Sequence, residues 1–312
     1  MGICFETEIK KIYNQIYTNN YRHNSKDLLE TDRNIYLVGR NDQSKELIGK
    51  INVNGIIDDF SEDISWLGIP ISKLSDITYP SIFINCSTSI SSYDVYNKIR
   101  SLRSSHKVLN VCDLFATKNS LISTPWFVSQ QRSEIGSNFN WWTNLYYTLA
   151  DDVSRKTLLD VIRFRLTADV FHMKDYTVRI KEQYMEDFME YSKEIFVDAG
   201  GYDGDTSEEF VKHCQDYKEI YFYEPSEVKI LLAKKRLAGI ENIHFKSVGL
   251  SDENTALPFN SSLGSASAFT NNDENEEVSV VTLDHDLKGV PVSFIKMDLE
   301  GWEMHALRGA ED

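Results

Sequence analysis

The residues with the strongest claim to chemistry lie in the last third of the chain. Between positions 195 and 204 the sequence reads IFVDAGGYDG. Ile195, Phe196 and Val197 read as the tail of a buried parallel strand. Asp198 ends the apolar run, and Gly200, Gly201 and Gly204 follow. Glycine lets a backbone turn tightly and approach a ligand closely, because a Cβ would block both. A dinucleotide-binding turn runs G-x-G-x-x-G, whereas this one runs D-x-G-G-x-x-G, and a leading carboxylate repels a pyrophosphate. It suits a positively charged ligand such as the ammonium of an amino acid. Roughly twenty residues on, the run EIYFYEP closes at Glu224 and Pro225. An acid at the end of a second strand is placed to accept hydrogen bonds from both ribose hydroxyls, and the proline stops the strand. S-adenosylmethionine carries such an ammonium, a ribose and an adenine. A third group follows PVSFIKMD, where Asp298, Glu300 and Gly301 reach the crevice in which such sheets hold ligands. His305 comes on the next helix.

These residues need a frame of alternating strands and helices. Thr206–Cys214 and Val228–Leu237 read as helices, and Asn242–Leu250 as the third strand and its exit. SDENTALPFN reads as a polar turn and a short edge strand. SSLGSASAF is a small, serine-rich loop expected to be mobile beside the ligand. Glu277–Asp284 and Pro291–Asp298 complete the strands, and a helix starts at Trp302. Nearer the N-terminus, Glu6–Tyr21 carries a helical stripe. NIYLVG, VNGIIDDF, SIFIN and Lys107–Val111 read as strands, with helices at Ser44–Ile51 and Tyr93–Arg103. Strands alternating with helices imply a parallel sheet with both faces covered. Leu121–Asn140, with QQRSEIGSN, reads as a polar linker; Leu145–Phe171 and Glu182–Tyr191 read as helices, with Asp151 and Ser154 as caps. That pair is expected either as a lid on the pocket or as a packing appendage.

Composition bounds the remaining possibilities. The chain has 312 residues and a formal charge of −15. No basic surplus exists to neutralise a phosphate backbone or an anionic membrane surface, so neither nucleic acid nor membrane is an expected partner. Cys4, Cys86, Cys112 and Cys214 show no paired or zinc-like spacing, which points to reduced thiols and a cytoplasmic protein. No signal-peptide core or apolar run of membrane-spanning length is seen. No metal-ligand spacing is visible, and no metal is assigned.

DAGGYDG, YFYEPS, SVGLSDE and SFIKMDLEGWEMHALRGAE, in that order, resemble the FkbM family of S-adenosylmethionine-dependent methyltransferases, from about Glu182 onward. The resemblance implies a Rossmann-like fold, S-adenosylmethionine as cofactor, and methyl transfer to a hydroxyl of a sugar, glycan or secondary metabolite. The expected cofactor contacts are Asp198, Gly200, Tyr202, Asp203, Gly204 and Thr206 around the turn, then Glu224, Pro225, Ser247, Val248 and Asp298. Asp298, Glu300 and His305 are the candidate bases. Residues 31–118, with a strand ending in two acids and a GIPI turn, resemble the front domain of PglD-type sugar acetyltransferases, which implies a nucleotide-sugar partner; Asp58 and NCSTS are the residues concerned.

The expected architecture is α/β, with two Rossmann-like parallel-sheet domains joined by a helical segment. Its parts are an N-terminal helix (1–30), the front domain (31–118), a linker with helices (119–192) and a class I methyltransferase domain (193–312). Three more strands normally follow strand four, so the methyltransferase domain is expected to be incomplete at its C-terminus. A homo-oligomer is compatible with the amphipathic first helix. The alternatives are a non-catalytic nucleotide or nucleotide-sugar binding protein and, disfavoured by Asp198, an NAD-dependent oxidoreductase or epimerase.

Overall fold

The computed structural model describes residues 4–17, 32–89, 91–115, 120–177, 179, 182–186, 188–260, 268–269 and 276–311. The chain divides into two compact units, Met1–Val178 and Arg179–Asp312.

In the first unit, β1 (Ile35–Val38), β2 (Gly55–Ile57), β3 (Ser65–Trp66), β4 (Ile69–Ser72), β5 (Ile82–Asn85) and β6 (Lys107–Asn110) form one sheet in the order β3-β4-β2-β1-β5-β6. All pairs are parallel except β3 with β4. Three strands hold nothing but apolar residues before their last position, as expected of a sheet covered on both sides. GIPISKL, expected as a lead-in, itself supplies β4. The intervening helices are α2 (Asp42–Ile48), α3 (Ser92–Leu102) and α4 (Cys112–Phe115).

A helical layer completes this unit: α1 (Phe5–Tyr17), α5 (Trp126–Ser137), α6 (Phe139–Thr148) and α7 (Asp152–Thr167). Phe5, Ile9 and Ile12 of α1 share a core with Ile135, Tyr146, Leu159, Ile162 and Leu166. The stretch expected as a polar linker is therefore a helix. Val128, Gln131 and Ile135 fall on one buried face, and Pro125 precedes the first turn, where a missing N–H costs nothing. The single helix expected over 145–171 is broken. Asp151 caps α7 by accepting from Ser154 N at 2.8 Å, and Ala168 ends it in a left-handed conformation at φ 54°. Arg163 is spent on Glu8 and Asp160. Trp142 packs against the same helical core, while Trp141 remains exposed.

In the second unit, β7 (Ile195–Ala199), β8 (Glu219–Tyr223), β9 (Ile243–Lys246) and β14 (Phe294–Met297) form a parallel sheet in the order β14-β7-β8-β9. α8 (Asp205–His213) and α9 (Glu227–Arg236) cover one face, and α10 (Leu283–Asp286) and α11 (Glu303–Arg308) meet the other. Alternation sorts the side chains. Phe196, Phe222 and Phe294 point towards α8 and α9, while Val197, Ala199, Tyr223 and Met297 join Leu283, Leu287 and Ala306. The expected third strand is split. The chain leaves β9 at Lys246, and Gly249–Leu250 form β10 of a second sheet, β10-β13-β11-β12, with β11 (Thr255–Asn260), β12 (Ala268–Phe269) and β13 (Glu276–Val281). Most of the serine-rich loop, residues 261–267, lies outside the described residues.

The described residues between 182 and 191 form turns and bends rather than the expected helix. Tertiary contacts override local periodicity there. Met185 is buried with Phe196 and Phe210, and Arg179 holds both Glu182 and Glu186.

At Gly201 an added Cβ would stand 2.2 Å from the Phe222 ring, which is itself fully buried. Gly201→Ala is expected to cost about 1–3 kcal/mol through overpacking, read as a lower denaturation midpoint. An unchanged midpoint would show that Phe222 yields freely.

Candidate active site

A cavity of about 660 Å³ opens where the carboxyl ends of β14, β7 and β8 converge. The turn after β7 contributes Gly200 and Tyr202, and α8 contributes Thr206. Glu224 and Pro225 follow β8, Val248 follows β9, and Asp298 and Glu300 follow β14. Eight of the residues singled out in the sequence thus line one space. Their strands are parallel neighbours in register, with Asp198 opposite both Lys296 and Phe222, so the strand tips are level.

Glu224 is the most confined acid of the group, with 4% of its surface exposed. Its Oε2 accepts from Tyr202 N at 3.2 Å and its Oε1 from Ser226 N at 2.9 Å. Burial holds its pKa above the ordinary 4.5, against the lowering effect of those two N–H groups and of Lys229. Each carboxylate oxygen keeps a second lone pair for a hydroxyl donor. Tyr202 adopts φ 51°, and Glu300 φ 52°. Two non-glycine residues in the left-handed region on one cavity wall mark backbone strain of the kind held at functional sites. Lys229 sits over the Tyr202 ring at 4.8 Å.

Asp298 accepts a hydrogen bond from Tyr184 Oη at 2.9 Å. Burial, and then Asp298, push the Tyr184 phenol well up, so it stays a donor. Glu300 is raised above its ordinary value by desolvation and by the neighbouring charges of Asp298 and Glu303.

Other expected residues lie elsewhere. Asp198 is fully buried and does not line the cavity. Strand alternation turns it under α8, where Ser207 Oγ donates to Oδ2 at 2.6 Å and Lys296 Nζ lies 3.2 Å from Oδ1. Asp203 is bound by Arg236 at 2.6 Å, and Gly204 packs on Leu237 and Ala233 while capping α8. Ser247 is not among the cavity walls, although its neighbour Val248 is. His305 also lies off the cavity: its ring stacks on Trp302 at 4.1 Å, and Nδ1 is 3.0 Å from Asp252 Oδ2. The glycines also serve packing. A Cβ on Gly200, at φ 75°, would lie 2.0 Å from the Asp298 carbonyl oxygen.

The structure adds Tyr184, Lys229, Leu250, Phe259, Lys296 and Leu299 to the walls. Lys296 had a signal in the sequence, as the lone charge inside the apolar run SFIKM. Tyr184 had none, because only the fold brings it to Asp298. Among the described residues, no group of three His, Cys, Asp or Glu is placed to hold a metal ion, and no helix is long and apolar enough to cross a membrane.

In the first unit, Asp58 is already engaged. Arg40 Nε lies 3.0 Å from Oδ2, and Oδ1 accepts from the backbone of Phe60 and Ser61. The NCSTS turn folds on itself through Ser87, Ser89 and Ser91, and Asn85 is bound within the sheet.

With the cavity, its acids and its parallel strand tips in place, the match to known proteins decides the assignment. The family model of the methyltransferase FkbM domain matches residues 198–312. The crystal structure of methyltransferase FkbM from Methylobacillus flagellatus KT aligns with a TM-score of 0.66 at 18% identity, over 98% of this chain and 84% of that one. That likeness is one of fold. No curated protein matches the chain. The matched stretch begins at Asp198, so the cavity's walls, Gln183, Tyr184 and Met185 excepted, fall inside it.

Glu224 gives this site a pH signature. A carboxyl that holds its proton more tightly folded than unfolded makes stability fall as pH rises between the two values. Wild type should therefore lose stability relative to Glu224→Gln as pH rises from 4.5, the ordinary value, towards neutrality. Urea denaturation across that range measures the gap, and a gap that opens on acidification instead would contradict the assignment.

Proposed function

We propose that this protein is an S-adenosylmethionine-dependent methyltransferase acting on a hydroxyl oxygen of a sugar, glycan or secondary metabolite. The observation that carries the reading is Glu224: a nearly buried carboxylate, set by two backbone N–H groups at the second strand's end, facing a cavity. An acid in that place accepts from a ribose diol. The rest of the cavity fits the same ligand. Val248, Leu250 and Phe259 offer apolar walls for an adenine, and about 660 Å³ lies within the range for a small-molecule site. When bound, the sulfonium supplies an already activated methyl carbon.

The chain's own work is then positioning, exclusion of water and removal of one proton from the acceptor hydroxyl. Asp298 is committed to Tyr184, whereas Glu300 is raised by burial and by neighbouring negative charge, which makes it the better base of the two. His305, held by Asp252 and stacked on Trp302, plays no part in this step.

S-adenosylhomocysteine should raise the melting temperature of the wild-type chain, and Glu224→Ala should remove that shift. UDP-glucose and NAD run in parallel should leave the melting temperature unchanged. Stabilisation by UDP-glucose alone would favour a nucleotide-sugar binding protein instead. A mass-spectrometric screen of glycans for gain of a methyl group identifies the acceptor. With that acceptor, Glu300→Gln should reduce turnover about 10²-fold while S-adenosylhomocysteine affinity holds; equal loss of both would place Glu300 in binding rather than proton transfer.

A further inference from the structure

Lys296 is the buried residue of β14, with 5% of its surface exposed. Its strand neighbours Phe294, Ile295 and Met297 are apolar. An ammonium in such a place needs compensation, because its lost hydration is worth several kcal/mol. The compensation comes from three directions. Nζ donates to the Gly200 carbonyl at 2.7 Å, lies 3.5 Å from the Ala199 carbonyl, and stands 3.2 Å from Asp198 Oδ1. The Tyr184 ring lies 5.4 Å from it. Asp198 Oδ1 has no aligned hydrogen bond of its own, so its contact with Lys296 is mainly one of charge.

Together these contacts tie β14 to the turn after β7 and, through Asp198 and Ser207, to α8. The turn has little freedom otherwise, since Gly200 is wedged against the Asp298 carbonyl. Lys296 and Gly200 both line the cavity on its β14–β7 side, while Glu224 and Val248 line it on the β8–β9 side. A nucleoside whose ribose meets Glu224 therefore points its other end at the Gly200 turn. The sequence led to the expectation that Asp198 would face that end. In the fold Asp198 is sealed under α8, and the charge beside the turn is the ammonium of Lys296.

We infer that Lys296 is the positioning residue for the cofactor's amino-acid end. By clasping the Gly200 carbonyl and neutralising Asp198, it sets the backbone against which that end docks. The inference rests on the S-adenosylmethionine reading above and adds a role for one residue within it.

The test compares two ligands that differ only at this end of the site. S-adenosylhomocysteine carries the amino acid, and 5′-methylthioadenosine lacks it. Calorimetric affinities for both are measured on the full chain as wild type, Lys296→Met, and the double variant Asp198→Asn/Lys296→Met. The double variant removes both buried charges, which is far milder for folding than orphaning one. Lys296→Met, and the double variant if the single one does not fold, should bind S-adenosylhomocysteine about tenfold or more weakly, the scale of a charge-assisted hydrogen bond. Affinity for 5′-methylthioadenosine should hold within about twofold, which a merely structural lesion would not allow. Equal losses for both ligands, or none for S-adenosylhomocysteine, overturn the positioning role. A wild-type chain that binds neither ligand overturns the cofactor reading itself, and this inference with it.

Discussion

The site depends on a buried ion pair between adjacent strands. Asp198 and Lys296 face each other in register across β7 and β14, both almost without exposure. Neither could sit there alone, since an isolated charge in such a place is far more costly than a matched pair. Because they are matched, the glycine turn, the start of α8 and the end of β14 are held as one unit by side-chain contacts. The cavity is the space left above that unit.

A second constraint shapes the same wall. Gly200 can sit against the Asp298 carbonyl only without a Cβ, and Gly201 can sit against Phe222 only on the same terms. The following residue, Tyr202, adopts a left-handed conformation and donates its N–H to Glu224. Glu300 is strained in the same manner after β14. Strain at two points of one cavity wall is sustained by packing around it, with stacked Phe196, Phe210 and Phe294 below the sheet. The acids end up in different states: Asp298 satisfied by Tyr184, Glu224 confined between backbone donors, Glu300 crowded by like charge.

The first unit uses similar sequence features differently. Its β2 also ends near paired acids, but Asp58 is taken by Arg40 and a local turn, and Asp59 by Lys98 and the backbone of Leu74. Acids at a strand tip thus line a cavity in one unit and are bonded to a cation and a local turn in the other. What separates them is a cation paired directly with each carboxylate of the first unit.

Much of this was legible in the sequence. Apolar runs bounded by glycine, proline and acid marked β7, β8 and β14, because buried parallel strands must be apolar and their ends must turn. The motif order marked the FkbM domain, and the strand-tip rule placed Glu224, Asp298 and Glu300 on one cavity. Other features required the tertiary structure. Alternation along β7 sends Asp198 to the α8 face, but which face is the ligand's depends on how helices cover the sheet. The helix over 126–137 formed despite its polar composition because three buried side chains sufficed, and 182–191 failed to form one because Met185 and Arg179 found better partners. Tyr184 and Lys296 reached the cavity by contacts far apart in the chain. Local sequence specifies what a segment prefers and where it must stop; which charges neutralise one another, and which remain free to meet a ligand, is settled only when distant strands lie side by side.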